Sequence, residues 1–329
     1  LCKRVYEEAA ALGDSYDEIL EYAYCVHPKR QLRIRAILEI IERGDFHCVK
    51  NYMRRQLVQG KIKLPEFAKE GKVPRVIGDF SVAGSLVGGY LVNRLKNVFK
   101  SAINVGGISC TFIGEPSVDT LSSVFNQLIA TGKDVCFYHS DDMCLALDCV
   151  DGRLLLNLDI SACDASNGKP LFDTVKHIML NAKGHEHIVD CIHEQCTYPI
   201  EFKAPGTRQK CVVLEPKNPF EYSGTVLTTF NNNVASLSII SGIATLFNSS
   251  MTRAEALKCI DIGAREAGYK VTCEVCDFPE DLQFLKNSPC MGVDGQYSSI
   301  LNLAVILRSI GQADDPSKFT KGDIVRNAE

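Results

Sequence analysis

The chain has 329 residues, 46% of them hydrophobic and 23% charged, which supplies a sizeable core and excludes a disordered chain. No apolar run reaches the roughly 18–20 residues of a bilayer span, so no transmembrane segment is expected. Net charge is −4 but uneven: residues 1–110 carry 18 Lys and Arg against 12 Asp and Glu, the remainder 18 against 28. In chain order, residues 3–60 read as helical, with breaks near Gly13, Pro28 and Gly44. Residues 72–83 (KVPRVIGDFSVA) are held out of helix by Pro74 and Gly78. Helices follow at 85–100 and 117–131, then strands at Asp134–His139, Met143–Cys149 and Arg153–Ile160, joined by hairpin-type links. Helices at 170–183 and 185–196 precede strands and loops over 197–222. Helices at 224–247 and 252–267, short strands at 269–275 and 282–286, and a helix beginning near Ser298 complete an α+β pattern.

The opening LCKRVYEEAA is a charged amphipathic stretch without a leader's apolar segment, and the two ends read as cuts from a longer chain. Fifteen scattered cysteines, an odd number, point to free thiols in a reducing compartment. The basic excess concentrates between Tyr22 and Arg75, 13 basic residues against 5 acidic. A solvated helix face would produce it, and so would a groove for a phosphate polymer.

Three segments carry chemistry. In DVCFYHSDDMCLALD, Asp141 and Asp142 sit at the tip of a hairpin with apolar arms. Two adjacent negative charges there are costly unless a cation neutralises them, and hard divalent ions take such oxygen ligands. In LLLNLDISACDASNG, Asp159 ends an apolar strand and Asp164 follows five residues later. The linking turn is short, so Asp141 and Asp159 should project from adjacent antiparallel strands at one sheet edge, a placement suited to a two-metal centre for phosphoryl transfer. In YSGTVLTTFNNNVASL, Ser223 and Gly224 open a loop into a helix, and Thr228 and Asn232 share a helix face at four-residue spacing. Their hydroxyl and amide groups can bond a sugar, and a helix start can hold an anion. An ordinary N-cap with buried polar residues would look the same.

Together these segments resemble the palm of viral RNA-directed RNA polymerases. Asp159-x4-Asp164 resembles motif A. Ser223, Gly224, Thr228 and Asn232 resemble motif B. Ser140-Asp141-Asp142 resembles motif C, with Ser in place of the usual Gly. The usual order is A, B, C; here the order is C, A, B, as in the permuted polymerases of permutotetraviruses and birnaviruses. Birnaviruses carry Asp-Asn at the hairpin, so Asp-Asp sits nearer the permutotetravirus type. Lys72-Val-Pro-Arg75 resembles motif F of the fingers, the helix 252–267 with Lys270 resembles motif D, and Phe284-Leu285-Lys286 resembles the motif E turn. The resemblance spans roughly residues 70–290.

The resemblance implies a right-hand fold with an antiparallel palm sheet, a largely helical fingers region and a truncated thumb. Fingers with motif F would occupy 1–110, palm with motifs C and A 111–169, a fingers insertion 170–222, palm with motifs B, D and E 223–290, and the start of the thumb 291–329. It implies addition of ribonucleoside triphosphates to an RNA 3′ end for viral replication and transcription. Asp141 and Asp159, with Asp142 assisting, would hold Mg2+ or Mn2+. Asp164, Ser223 and Asn232 would sense the ribose 2′-hydroxyl, Lys72 and Arg75 would hold the triphosphate, and Lys270 would protonate the leaving pyrophosphate. Expected partners are RNA template and product strands and other viral replication proteins. The expected location is the host cytoplasm, at replication complexes or in the virion. A reverse transcriptase and a non-catalytic palm-like RNA-binding module are the competing readings. Separately, His185, His187, Cys191, His193 and Cys196 lie within twelve residues, a spacing that would suit a structural Zn2+ or simply a helix rich in His and Cys. Cys273 and Cys276 lack a second pair and read as thiols in a strand.

Overall fold

The computed structural model describes residues 1–12, 58–62, 76–80, 82–203 and 210–309. Most of the basic stretch from Tyr22 to Arg75, including Lys72 and Arg75, lies outside them, as do residues 310–329. The chain divides into two compact units, one of residues 1–103 and 161–239, the other of residues 104–160 and 240–329.

In the first unit, helix α1 (Cys2–Ala10) is anchored by Arg4, whose guanidinium donates to the carbonyls of Val98 and Ser101 (2.9 Å each) and Ala102 (3.2 Å). Strands β1 (Val58–Ile62) and β2 (Val76–Asp79) pair antiparallel. Helix α2 (Val82–Leu95) continues into a 3-10 turn at Lys96–Phe99. Strand β1 falls where residues 3–60 were expected to be helical. Its Gly60 weakens a helix, and parallel pairing with β8 (Ile200–Lys203) wins; a Cβ at Gly60 would lie 2.5 Å from the Phe202 ring. Strand β9 (Lys210–Leu214) completes a sheet of order β2-β1-β8-β9.

The second unit holds a six-stranded sheet. Strands β3 (Ile103–Val105) and β4 (Ile108–Phe112) form a hairpin around Gly106 and Gly107. Helix α3 (Val118–Ile129) leads to β5 (Val135–His139), β6 (Asp142–Cys149) and β7 (Gly152–Ile160). Later in the chain, β10 (Val271–Cys276) pairs with β7, giving the order β10-β7-β6-β5-β4-β3, antiparallel except for the parallel β4–β5 pair. Met143 to Leu147 of β6 are all buried, the signature of a central strand covered on both faces. One face packs Cys144, Ala146, Phe137 and Leu155 against Leu121, Val124, Phe125 and Leu128 of α3 and against Leu282 and Phe284.

Between β7 and β8, in the first unit, lie a short helix α4 (Cys163–Ser166) and an antiparallel pair, α5 (Lys169–Met179) and α6 (Glu186–Gln195), bridged by Lys176 and Asp190 at 2.8 Å. Helix α7 (Thr228–Leu246) has no charged residue and is buried along most of its length, its asparagines included. It is followed by α8 (Arg253–Glu266), which opens on a capping box formed by Thr252 and Glu255. The α7 and α8 backbones touch: a Cβ at Gly242 would meet the Gly263 carbonyl at 2.3 Å.

The C-terminal expectations need correction. Residues 282–286 are not a strand. Leu285 and Lys286 both have positive φ (50° and 65°) and form a two-residue turn that Phe284 and Asn287 close with reciprocal 2.9 Å backbone bonds. The segment at Ser298 is not a helix start either. Tyr297 and Ser299 are buried while Ser298 and Ile300 face outward, a period of two. It forms β12 (Tyr297–Leu301), paired with β11 (Asn287–Met291), and the helix α9 (Leu303–Ser309) begins only after it.

Candidate active site

The acidic hairpin is a two-residue turn. His139 pairs with Asp142, leaving Ser140 and Asp141 as the central residues, and only Ser140 has positive φ (60°). That is the pattern of a type II′ turn, whose first central position favours Gly; here Ser occupies it under strain. The incoming arm is pinned by His139, which stacks on Phe112 and whose Nδ1 lies 2.6 Å from the Ile113 carbonyl. A carbonyl only accepts, so Nδ1 carries the proton.

On the next strand Asp159 lies directly opposite Asp142. Asp141, expected at the same sheet edge as Asp159, is one position further along from Asp142, in the turn. Asp159 is exposed and Asp142 only partly so. Burial pushes the Asp142 carboxyl up to about 6; the Leu285 N–H, donating to Oδ2 at 2.8 Å, opposes this, while the charges of Asp141 and Asp159 add to it. On the other side of β7, Asp159 faces Thr272 of β10. Lys270 is exposed, one residue before that strand, at the same end of the sheet.

The 281–285 segment ties itself to this face at alternate residues. Asn157 Nδ2 donates to the Asp281 carbonyl (3.0 Å), Gln283 N–H to Asn157 Oδ1 (2.9 Å), Cys144 Sγ to the Gln283 carbonyl (3.2 Å), and Leu285 N–H to Asp142. The motif E-like turn thus fixes the second hairpin aspartate through main-chain bonds, which residue types alone do not reveal.

The second constellation belongs to the first unit. Ala162, in the left-handed region (φ 51°), starts α4 and places Asp164 on it. The Ser223 hydroxyl donates to Asp164 Oδ2 in a short hydrogen bond. Ser223 also bridges to Ile77, and its carbonyl accepts from the Gly78 N–H at 2.9 Å. This contact explains the glycine that follows: Gly224 has φ 106°, and a Cβ there would lie 2.8 Å from the Gly78 carbonyl. The loop occupies residues 223–227, so α7 starts at Thr228 rather than 224. The Thr228 hydroxyl is used locally, donating to the Thr225 carbonyl at 3.2 Å. Asn232, one turn on, accepts at Oδ1 from Asn167 Nδ2 (2.8 Å).

Two members of this network were not anticipated. Asn167 Nδ2 also donates to Glu221 Oε2 (2.5 Å), which accepts a longer bond from Asn231 Nδ2 (3.3 Å). Glu221 is 1% exposed, and burial pushes its carboxyl up to about 8, with Asp164 adding to the shift and bonds from Asn167, Asn231 and Thr228 opposing it. The available signals were slight: an acid between two aromatics just ahead of Ser-Gly, and an amide three residues after Asp164.

Among the described residues no three His, Cys, Asp or Glu side chains stand close enough together to hold a metal ion. For zinc the donor chemistry does not fit either. On α6 and at its end, Cys191, His193 and Cys196 turn into the protein; burial lowers His193 to about 4 and pushes the Cys196 thiol upward, away from the thiolate a zinc ligand needs. Cys273 is exposed and Cys276 buried, and the described cysteines are free thiols. For magnesium the donors do fit: all are carboxylate oxygens, and Asp142 is repelled by both neighbours, a repulsion that a cation between them would reverse.

The antiparallel sheet with its acidic hairpin, flanked by helices in an α+β chain, defines a viral polymerase fold. The solved structures that match include a chain of the birnavirus VP1–VP3 complex (TM-score 0.53, 10% identity, 82% of this chain and 41% of that one) and the RNA polymerase VP1 from Infectious Pancreatic Necrosis Virus (TM-score 0.51, 11% identity, the same coverage). The chain spans about two fifths of the length of those structures. No protein-family model and no curated protein matches the sequence. No helix among the described residues is long and apolar enough to cross a membrane.

Proposed function

We propose that the protein carries the permuted palm of an RNA-directed RNA polymerase and adds ribonucleotides to an RNA 3′ end for viral replication and transcription. The observation that carries the reading is the opposition of Asp142 and Asp159 across β6 and β7, with Asp141 next in the turn, within a sheet of polymerase fold. Asp141 and Asp159, with Asp142, would hold Mg2+ or Mn2+, which when bound would supply a lowered 3′-hydroxyl pKa and neutralisation of charge on the transferred phosphoryl group. The Leu285 N–H keeps Asp142 aimed. Asp164 and Ser223, already hydrogen-bonded, and Asn232 recognise the ribose 2′-hydroxyl. Lys270, exposed at the same sheet end as Asp159, supplies a proton to pyrophosphate, and Lys72 and Arg75 bind the triphosphate as charge-assisted donors. The sheet and its hairpin are palm, the preceding basic region fingers, and the residues after 290 the start of a thumb. The partners are RNA, nucleoside triphosphates and other viral replication proteins; the place of action is the host cytoplasm, at replication complexes or in the virion.

The test is primer extension and unprimed synthesis on an RNA template with either nucleotide set. Ribonucleotide incorporation dependent on Mg2+ or Mn2+, and lost in Asp141→Ala and Asp159→Ala proteins that retain the wild-type melting profile, is the expected result. Preference for deoxynucleotides makes the protein a reverse transcriptase. RNA binding without synthesis, unaffected by either substitution, makes it a binding module.

A further inference from the structure

We propose that Glu221 and Asn167 are positioning residues that lock the Asn232 side-chain amide in one orientation and thereby set sugar discrimination; the proposal rests on the polymerase reading and deepens it. An asparagine amide is nearly symmetric in shape and presents either its oxygen or its nitrogen to a substrate, depending on its neighbours. Asn232 Oδ1 faces Asn167 Nδ2 at 2.8 Å, so the oxygen is committed and the amide nitrogen lies on the other side. The orientation of Asn167 contributes to that commitment. Asn167 is held because the same nitrogen donates to Glu221 Oε2 at 2.5 Å, and a reversed amide would set oxygen against oxygen there. Glu221 is in turn fixed by a second donor, Asn231 Nδ2, on the same oxygen.

All four residues are at most 3% exposed, so water is not available to take over a lost bond. The other Glu221 oxygen, Oε1, is buried without a hydrogen bond, and the nearby Thr228 hydroxyl, which bonds the Thr225 carbonyl, only weakly opposes the neutral form. A buried carboxyl that accepts twice at one oxygen and makes no hydrogen bond at the other is suited to the neutral acid, with its proton on Oε1. Asp164, also in this network, favours the same form. Glutamine has that shape, with its carbonyl oxygen in the place of Oε2 and its NH2 group in the place of Oε1. Alanine removes the acceptor that Asn167 Nδ2 faces, and Asn167→Asp removes the donating nitrogen without changing size.

The experiment is the ratio of ribonucleotide to deoxynucleotide incorporation, kcat/KM for each, on a primed RNA template. Asn167→Asp and Glu221→Ala lower that ratio by about tenfold, through the ribonucleotide KM, while Glu221→Gln keeps the wild-type ratio. An unchanged ratio in Asn167→Asp and Glu221→Ala proteins that still extend primers overturns the proposal and leaves the polymerase reading intact. Absence of synthesis by the wild-type protein counts against that reading instead. Side-chain amide resonances of Asn232 in 15N-labelled protein give a readout independent of catalysis. A single, slowly exchanging pair in wild type and Glu221→Gln, and an averaged or shifted pair in Asn167→Asp, is expected; an unaltered pair in Asn167→Asp overturns the proposal.

Discussion

The two acidic regions solve opposite electrostatic problems. At the end of the six-stranded sheet, Asp159 lies opposite Asp142 with Asp141 next in the turn, the described charges acting on Asp142 are both negative, and the sheet holds the three by backbone register. Around Asn232, the buried acid Glu221 meets two amides and is held toward its neutral form. The first arrangement stores repulsion that a divalent ion would relieve. The second removes charge so that hydrogen-bond direction can be specified. A carboxylate at a strand end and a carboxyl beside a helix therefore do different work, although sequence alone presents both simply as acids.

The largest effect that can break this contrast is loss of synthesis at the sheet end. Asp159→Asn keeps shape and removes charge; incorporation should fall by at least about a thousandfold with little change in thermal midpoint, because the carboxylate acts on the reacting groups and not on folding. A large drop in stability instead would make Asp159 structural. Next is the backbone that frames the Asn232 network. Gly224→Ala forces a side chain onto φ 106° and against the Gly78 carbonyl, so we expect a destabilisation of about 3 kcal/mol in denaturant melts.

The third effect is pH dependence. An acid whose folded value is raised stabilises the fold fully below its unfolded value and loses that contribution as pH rises through the folded value. For Glu221 the window runs from about 4.5 to about 8. Asp142 acts in the same direction but is finished by about 6, and His193, depressed to about 4, acts in the opposite direction between 4 and 6.5. From pH 6.5 to 8 the Glu221 contribution stands apart, with Asp164 and Cys196 as its charged or titratable neighbours. Stability should fall there by an amount on the order of 2 kcal/mol, and Glu221→Gln should flatten the slope. A slope unchanged by Glu221→Gln would assign it to other groups. The smallest effect is Ser140→Gly, which relieves the positive φ at the hairpin tip; a rise of about 1 kcal/mol in stability with synthesis retained is expected.

The sheet was largely legible. Alternating or continuous apolar runs gave β5, β6 and β7, and short links gave their antiparallel order. Gly106-Gly107 was a readable hairpin signal that the helix-rich surroundings obscured. The 282–286 turn was not legible, because Leu-Lys at two left-handed positions is an uncommon choice that only the Asp142 bond and the packing of Phe284 sustain. Likewise Asp141, Asp142, Asp159, Asp164, Ser223 and Asn232 stood out by type and spacing, whereas Asn167 and Glu221 are defined by what they touch. The zinc expectation failed for a related reason: His and Cys counted along a helix do not say which face turns inward, and α6 buries Cys191 and His193 in the core.

The most direct test is a crystal structure of the protein soaked in Mn2+ with an RNA primer–template and a non-hydrolysable ribonucleoside triphosphate. Two anomalous peaks about 3.5–4 Å apart, bridged by Asp141 and Asp159 oxygens, are the predicted result. Manganese bound elsewhere, with those side chains pointing apart and the nucleotide absent from the β6–β7 end of the sheet, would contradict it.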